Sequence, residues 1–173
     1  MIGIENLCGH PNPAWRDQAD SFVMYDLTDS GMPGHWEQLP AKRLGGGRYM
    51  LCSIPLSTLK IALGDIVTTT SSGRFVDSVD AVTERSGNVV IHAVFHKNAT
   101  IEGNEDPQDD LIRECRCLGI DYEFHEQPGY VALSCPVGSH EHVEIEKRLH
   151  AYHLLKWGYF VTSERSKPQD SAS

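Results

Sequence analysis

The feature that most constrains the fold of this 173-residue chain is a change after Asn88 in the order of the predicted strands and helices. Before it, short runs of strand-forming residues recur at roughly eight- to twelve-residue intervals, between turns rich in Gly, Pro and Ser. Such runs are typical of a small bent sheet or barrel. After it, the segments follow in the order β-α-β-β-α-β, which is the ferredoxin-like order. The sequence therefore predicts an α+β protein in which a small bent β-sheet or barrel precedes a ferredoxin-like half.

The predicted segments divide the chain into four regions. In the first half, strands are predicted over residues 21–28, 36–44, 49–55, 64–70 and 74–84, and residues 56–63 are compatible with a short helical turn. In the second half, the predicted strands are 89–97, 120–126, 130–136 and 159–164, the predicted helices are 109–119 and 141–157, and an acidic loop covers 98–108. The regions are an irregular N-terminal segment, 1–20, a β-rich domain, 21–88, a ferredoxin-like domain, 89–164, and a disordered tail, 165–173.

The composition indicates which partners the chain can have. Its 24 acidic and 15 basic residues give a formal net charge of −9. No cluster of Lys or Arg is available to neutralise phosphates, so a nucleic-acid partner is not expected. The excess of acidic residues favours solubility or binding to a basic protein partner.

Export and membrane signals are missing from the sequence. No run of about eighteen apolar residues is present, so a membrane partner is not expected. The N-terminus lacks the basic and apolar regions of a signal peptide. Five cysteines, an odd number, are more typical of free thiols in a reducing compartment than of a disulfide framework. These observations predict a cytoplasmic protein.

Four of the nine histidines lie in or directly before one predicted helix, in the stretch HEHVEIEKRLHAYH from His140 to His153. On a helical wheel, one side of this helix is apolar and is predicted to face the core: Ile145, Leu149, Tyr152 and Leu155. A second side, here called the histidine strip, carries His142, Glu146, His150 and His153.

A single metal ion cannot bind the whole histidine strip. His142 and His150 are about 12 Å apart along the helix axis, whereas zinc–nitrogen bonds are about 2 Å long. Local pairs could share an ion only with a further ligand from another element, for which the strand histidines at 92, 96 and 125 are candidates. The H-E-x-x-H signature is absent. We therefore interpret the strip as a solvated helix face and predict no metal and no other cofactor.

Other candidate nucleophiles lack the neighbours that catalysis needs. Cys115 and Cys117 lie two residues apart on a predicted helix and point to different sides, so one of them is expected in the core. Cys52 is expected to be a core thiol. Ser86 lies in a turn and not in a G-x-S-x-G elbow. The GGGR stretch at 45–48 precedes a strand and reads as a hairpin turn, whereas a phosphate-binding loop precedes a helix. No catalytic residue is assigned.

The segments HPNPAWRDQADSFVMYDL and WEQLPAKRLGGGRYMLCSIPLSTLKIALGDIVTTTSSGRFVDSVDAVTERSGN resemble a bacterial family, common in actinobacteria, that is known only as a domain of unknown function. The shared pattern runs E-x-L-x-A-x-x-L, R-Y-x-L-x-x-I-P, A-x-G-D-V-V and S-G, and the resemblance covers roughly residues 10–160. Ile66 replaces the first Val, and Leu56 and Ser57 replace the usual aromatic pair. The matching positions are Glu37, Leu39, Ala41, Leu44, Arg48, Tyr49, Leu51, Ile54, Pro55, Ala62, Gly64, Asp65, Val67, Ser86 and Gly87.

The resemblance implies no established activity, and its pattern consists mainly of turn and core residue types. We therefore expect a non-enzymatic protein-binding module of the immunity or adaptor type, which contacts a basic protein through an acidic surface such as residues 101–110. Trp36 is its candidate aromatic anchor. The alternative is a small hydrolase-like or ligand-binding protein with a His/Glu site between the two halves, with or without a metal. The candidate residues of that site are His92, His96, Glu146 and His150.

Overall fold

The computed structural model describes residues 6–71, 77–96, 106–125, 129–155 and 158–163. Within these residues the chain is a mixed α+β protein with two sheets and two helices. It divides into two compact units, unit 1 (Met1–Ser86) and unit 2 (Gly87–Ser173). The predicted tail at 165–173 and most of the predicted acidic loop at 98–108 lie outside the described residues.

Unit 1 carries a six-stranded sheet that closes on itself, here called the closed sheet. Its strands are β1 (Leu7–Cys8), β2 (Ser21–Asp26), β3 (Trp36–Gly45), β4 (Arg48–Leu51), β5 (Ile66–Thr70) and β6 (Ser78–Glu84). Their order is β1-β3-β2-β6-β5-β4, and β3 also pairs with β4. The strands β2 to β6 form antiparallel neighbours except at one contact, where β2 and β6 run parallel.

Side chains from these strands, together with Ile61 from the segment between β4 and β5, fill the interior of the closed sheet. The buried cluster contains Val23, Leu39, Ala41, Tyr49, Leu51, Ile61 and Val67. The GGGR stretch forms the turn between β3 and β4, as predicted. Gly45, Gly46 and Gly47 all adopt positive φ there, a conformation that side-chain-bearing residues rarely take.

Two parts of unit 1 differ from the sequence predictions. The predicted strand 49–55 ends at Leu51, and residues 52–65 are irregular, with no helical turn at 56–63. Much of this segment is nevertheless buried, because side chains from elsewhere hold its backbone. The Glu37 carboxylate accepts hydrogen bonds from the amides of Leu56 (2.6 Å) and Ser57 (3.3 Å). The N-terminal region is also more regular than predicted, with β1 and a 3-10 turn at Arg16–Gln18.

Unit 2 follows the order β-α-β-β-α-β. Its elements are β7 (Asn88–Phe95), α1 (Pro107–Leu118), β8 (Asp121–Phe124), β9 (Tyr130–Pro136), α2 (His140–Leu154) and β10 (Gly158–Thr162). The four strands form one sheet in the order β10-β7-β9-β8, and each neighbouring pair is antiparallel.

Local capping chemistry sets the ends of both helices. Asp106 accepts a hydrogen bond from the Gln108 amide (2.9 Å) and precedes Pro107, a residue suited to the first helical position. The helix α1 therefore starts two residues before the predicted 109, and Gly119 ends it with φ +70°, as expected. Ser139 caps α2 by accepting from the His142 amide (3.1 Å). Neither helix in the described ranges has the length and apolar character needed to cross a membrane.

Both helices pack on one face of the unit 2 sheet. The shared core contains Val89, Ile91, Ala93, Phe95, Leu111, Cys115, Ile120, Val131, Leu133, Cys135, Ile145, Leu149 and Tyr152. The predicted core face of α2 is confirmed for its first three members. It is wrong for Leu155, which is 56% exposed, because α2 ends at Leu154 and the helical wheel does not extend beyond it.

Gly158 begins β10 at a close approach to β7. A Cβ atom there would lie 2.3 Å from the Val94 carbonyl oxygen and 3.1 Å from Phe95 Cα. Because both are backbone atoms, β10 would have to shift. We expect Gly158→Ala to lower the free energy of unfolding by about 2 kcal/mol in urea denaturation. The control Gly9→Ala, where a Cβ meets nothing within 4 Å, should unfold like the wild type, and equal stability of the two variants would contradict the prediction.

Candidate functional site

The histidine strip lies at the surface of α2 over most of its length. His150 and His153 are exposed, which confirms their interpretation as part of a solvated face. His142 differs, because its side chain is only 12% exposed. Its Nδ1 accepts from the Gly138 amide (2.9 Å), and its Nε2 lies 3.3 Å from Glu146 Oε1 without the alignment of a hydrogen bond. The ring of His142 therefore packs against the turn that precedes the helix.

The sheet of unit 2 separates His92 from the predicted site residues on α2. His92 follows Ile91, which packs against the helices, so its side chain lies on the opposite face of the sheet. There its ring centroid is 5.3 Å from that of Tyr130. Glu146 and His150 lie on α2, so unit 2 does not bring them together with His92.

The remaining two predicted residues lie at strand ends, one in each unit. His96 is exposed just beyond the end of β7, and Trp36 is half-buried at the start of β3 in unit 1. Within the described part of the chain, no group of three or more His, Cys, Asp or Glu residues could hold a metal ion.

The buried thiols are core residues. Burial raises the pKa of Cys115 and of Cys135 to about 12, and burial also raises the pKa of Cys52. Since the thiolate is the nucleophilic form, none of these three side chains is activated. The prediction for the neighbouring pair is confirmed, because Cys115 packs in the core of unit 2 and Cys117 is exposed.

Several residues of the family pattern meet around Asp65 in unit 1. Its carboxylate is fully buried and accepts from the Ala62 amide (3.0 Å), from Arg85 Nη1 (3.1 Å), and from the amide (2.9 Å) and hydroxyl (3.1 Å) of Ser86. Gly64 has φ +81°, and a Cβ there would lie 3.1 Å from Ser86 Cβ. These contacts tie the turn before β5 to the turn after β6.

Glu37, the first residue of the pattern, is also buried. Besides the two amides of the irregular segment, its carboxylate contacts His10 Nε2 at 3.0 Å, and both side chains are shielded from solvent. This contact holds the N-terminal segment to the closed sheet. The two pattern carboxylates, Glu37 and Asp65, therefore stabilise structure.

A concave surface of unit 1, here called the acidic groove, has a volume of about 410 Å³. It lies where β2 and β6 separate, beside the 3-10 turn Thr28–Ser30. Its lining combines one aromatic ring, three carboxylates, two cations and small or aliphatic side chains: Tyr25, Asp26, Asp29, Asp80, Lys60, Arg85, Thr28, Ile61, Val79, Ala81 and Val82.

Both cations of the acidic groove are engaged by neighbours within unit 1. Lys60 Nζ donates to the Asp29 carbonyl oxygen (2.8 Å) and lies 3.8 Å from the Asp29 carboxylate. Arg85 Nη1 donates to the Lys60 carbonyl oxygen (2.7 Å) and to buried Asp65 (3.1 Å). The positive charges of Lys60 and Arg85 are therefore partly neutralised within unit 1.

Two carboxylates of the acidic groove have no such cation. Asp26 accepts from the Thr28 amide (2.8 Å), a bond that leaves its negative charge in place. Asp80 is exposed on β6. Among the described residues, no Lys or Arg forms an ion pair with either of them. The groove therefore carries an excess of negative charge.

Tyr25 supplies an aromatic surface beside these carboxylates. Its side chain is half-buried and packs partly against the core of the closed sheet. Burial raises the pKa of the Tyr25 phenol, a hydrogen bond with Thr58 offsets part of this rise, and the charge of Asp29 adds to it. The phenol stays neutral at physiological pH, and an aromatic face next to carboxylates suits a cationic group.

The acidic groove was not predicted from the sequence. Asp26 and Asp29 flank the end of a predicted strand, and Asp80 alternates with aliphatic residues in another, which are ordinary positions for solvated acids. The pairing of Met24 on β2 with Ser78 on β6 brings these acids together, and no short sequence motif encodes that pairing.

Comparison with known proteins supports the resemblance seen in the sequence. A family model described as Domain of unknown function (DUF4265) matches residues 37–157, and no curated protein matches the chain. The fold is similar to that of a solved structure described as a hypothetical protein from Neisseria gonorrhoeae, with a TM-score of 0.67, 17% sequence identity, and coverage of 83% of this chain and 93% of that chain. At that identity the likeness shows the fold alone. Because the family model matches well over half of the sequence, this chain belongs to the family described as Domain of unknown function (DUF4265).

Proposed function

We propose that this protein is a non-enzymatic, cytoplasmic binding module of the adaptor or immunity type, whose acidic groove takes a basic segment of another protein. The observation that carries the proposal is the groove itself. It is concave, with a volume of about 410 Å³, and it holds the Asp26 and Asp80 carboxylates beside the ring of Tyr25. A surface of one charge sign attracts partners of the other sign and disfavours like-charged ones.

The family pattern supports the same role, because its buried residues hold the walls of the groove. Asp65 accepts from Arg85 (3.1 Å), and Arg85 in turn donates to the Lys60 carbonyl oxygen (2.7 Å). These bonds fix the Arg85 side chain and the backbone at Lys60 relative to β6. A preformed groove of this kind binds with a smaller loss of conformational entropy.

We also infer that unit 2 is a ferredoxin-like scaffold. Its element order is β-α-β-β-α-β, and the sheet order places the first and third strands of the unit in the centre. Two helices packed on one face of such a sheet match that arrangement. Superposition of an experimental structure of unit 2 on ferredoxin-like domains would test this inference.

A displayed library of random heptapeptides, selected against the full-length protein, tests the proposed function. We expect the selected peptides to be rich in Lys and Arg, and their binding to weaken as salt rises from about 50 to about 300 mM, because exposed charges are screened. The double variant Asp26→Asn/Asp80→Asn should bind them about tenfold more weakly, since each lost surface charge pair contributes up to about 1 kcal/mol.

The matched control is Asp17→Asn/Asp109→Asn, which removes the same charge from exposed positions outside the acidic groove. This control should bind the selected peptides like the wild type. Selection of peptides without a basic preference, or an equal loss of affinity in both double variants, would overturn the proposal.

A further inference from the structure

We infer that the basic segment binds in the acidic groove as an added β-strand, paired with the open edge of β6. This inference rests on the proposed function and specifies how the partner is held. It follows from the way the closed sheet is built at this position, from the location of the groove, and from the charges that border it.

Among the residues that the structure describes, the ladder between β2 and β6 is a single residue pair. β2 pairs with β3 along its whole length, from Ser21 to Asp26, and β6 pairs with β5 over 78–84. Between β2 and β6, by contrast, the register contains only Met24 and Ser78, next to a hydrogen bond from the Met24 amide to the Asp77 carbonyl oxygen (3.0 Å). Beyond this contact, the described strands face each other without ladder pairs.

The acidic groove occupies the gap that this separation leaves. Tyr25 and Asp26 line it from β2, and four consecutive residues, 79–82, line it from β6. A strand edge in such a gap presents backbone N–H and C=O groups to whatever enters it. Extended peptides bind other proteins by adding a strand to an edge of this kind.

The backbone at Asp77 fixes where the two strands part. Asp77 has φ 128°, a conformation that is unfavourable for a residue with a side chain. Its carboxylate holds it there by accepting from the Tyr49 hydroxyl (2.8 Å) and the Thr69 hydroxyl (3.3 Å). The following residue, Ser78, makes the last contact with β2. The gap is therefore part of the folded structure and does not need a partner to open it.

The charges at the border of the gap select the side chains of the added strand. Side chains two apart on a strand point to the same side. A segment with Lys or Arg at alternate positions can thus direct its cations toward Asp26 and Asp80 while its backbone pairs with β6. The ring of Tyr25 lies beside the same position and suits a cation as well.

Alternate N-methylation of a bound peptide tests this pairing, because only every second amide of an added strand bonds to its neighbour. The probe is the tightest-binding heptapeptide from the library selection, synthesised unmodified and in two versions that carry N-methyl groups on alternate residues. We expect one version to lose affinity about a hundredfold, through the loss of several hydrogen bonds, and the other to bind nearly as well as the unmodified peptide. Within 79–82, hydrogen exchange of the amides that do not already bond to β5 should slow when the unmodified peptide binds.

The outcomes separate this inference from the proposed function. If both N-methylated versions bind like the unmodified peptide, or both lose affinity equally, strand addition is wrong. Binding that slows no amide exchange at 79–82 would also overturn it. In each of these cases a remaining dependence on Asp26 and Asp80 would leave the proposed function standing, whereas the loss of that dependence would remove both.

Discussion

Replacing Asp65 by alanine is expected to lower the free energy of unfolding by about 4 kcal/mol, because several hydrogen-bond donors lose the one buried carboxylate that they share. The variant loses an acceptor for the amides of Ala62 and Ser86, for the Ser86 hydroxyl and for Arg85. The Ala62 amide is buried and the Ser86 amide is partly buried, so these two donors contribute most of this cost, whereas half-exposed Arg85 can bond to water instead. Urea denaturation followed by circular dichroism measures the effect.

Two further variants identify the cause of the Asp65 effect. Asp65→Asn keeps one carbonyl oxygen as an acceptor and should show a smaller loss of stability than Asp65→Ala. Asp80→Ala removes an exposed carboxylate from the same closed sheet and should change the free energy of unfolding by less than about 0.5 kcal/mol. If Asp65→Ala unfolds at the same urea concentration as Asp80→Ala, then the hydrogen bonds of Asp65 do not stabilise unit 1.

Replacing Asp110 by alanine is expected to have the second large effect, about 3 kcal/mol. Asp110 is buried on α1 and joins the two helices of unit 2. Its carboxylate accepts from the Tyr152 hydroxyl, from Arg148 Nη2 (2.6 Å) and from Arg113. Arg148 also stacks over the Tyr152 ring, 5.5 Å from its centroid. Arg113 and Arg148 are half-exposed and can form hydrogen bonds with water instead. The hydroxyl of buried Tyr152 would lose its acceptor.

The Asp110 effect should depend on pH. Burial alone would raise the pKa of Asp110, but hydrogen bonds from Tyr152 and Arg148 outweigh burial and hold that pKa below its usual range. In the unfolded chain an Asp carboxyl takes up its proton at about pH 4. Because the folded pKa is lower, the stabilisation is fully present above the unfolded pKa and is lost as the pH falls through the folded one.

Urea denaturation of the wild type and of Asp110→Asn across this range tests the pH dependence. The wild type should be clearly more stable at pH 7, and the difference should shrink from about pH 5 downward. Asp109→Asn, which alters an exposed neighbour in the same helical turn, should show little change at either pH. A difference between wild type and Asp110→Asn that stays constant down to pH 3 would contradict a lowered pKa of Asp110.

Elements with strong local patterns could be predicted from the sequence. The helix α1 ends at Gly119, and Ile145, Leu149 and Tyr152 of α2 face the core. Both features depend on residues within a few positions of one another, through capping and the helical repeat.

Residues 52–65 could not be predicted in this way, because their backbone is held by distant side chains. The amides of Leu56 and Ser57 donate to Glu37, which is separated from them by most of two strands. Secondary-structure propensity depends on a segment and its near neighbours in sequence, and tertiary contacts override it. The buried, irregular course of this segment was therefore visible only in the folded structure.

The sequence by itself determined the mixed α+β class, the membership of an uncharacterised family and the acidic character of the chain. Only the tertiary structure decided which of its acids are structural and which are available to a ligand. Asp65 is fully buried, whereas Asp26 and Asp80 line an open groove, although all three are the same residue type beside or within a predicted strand. The difference arises because burial and hydrogen-bond partners come from residues far apart in sequence, which meet only when the closed sheet forms.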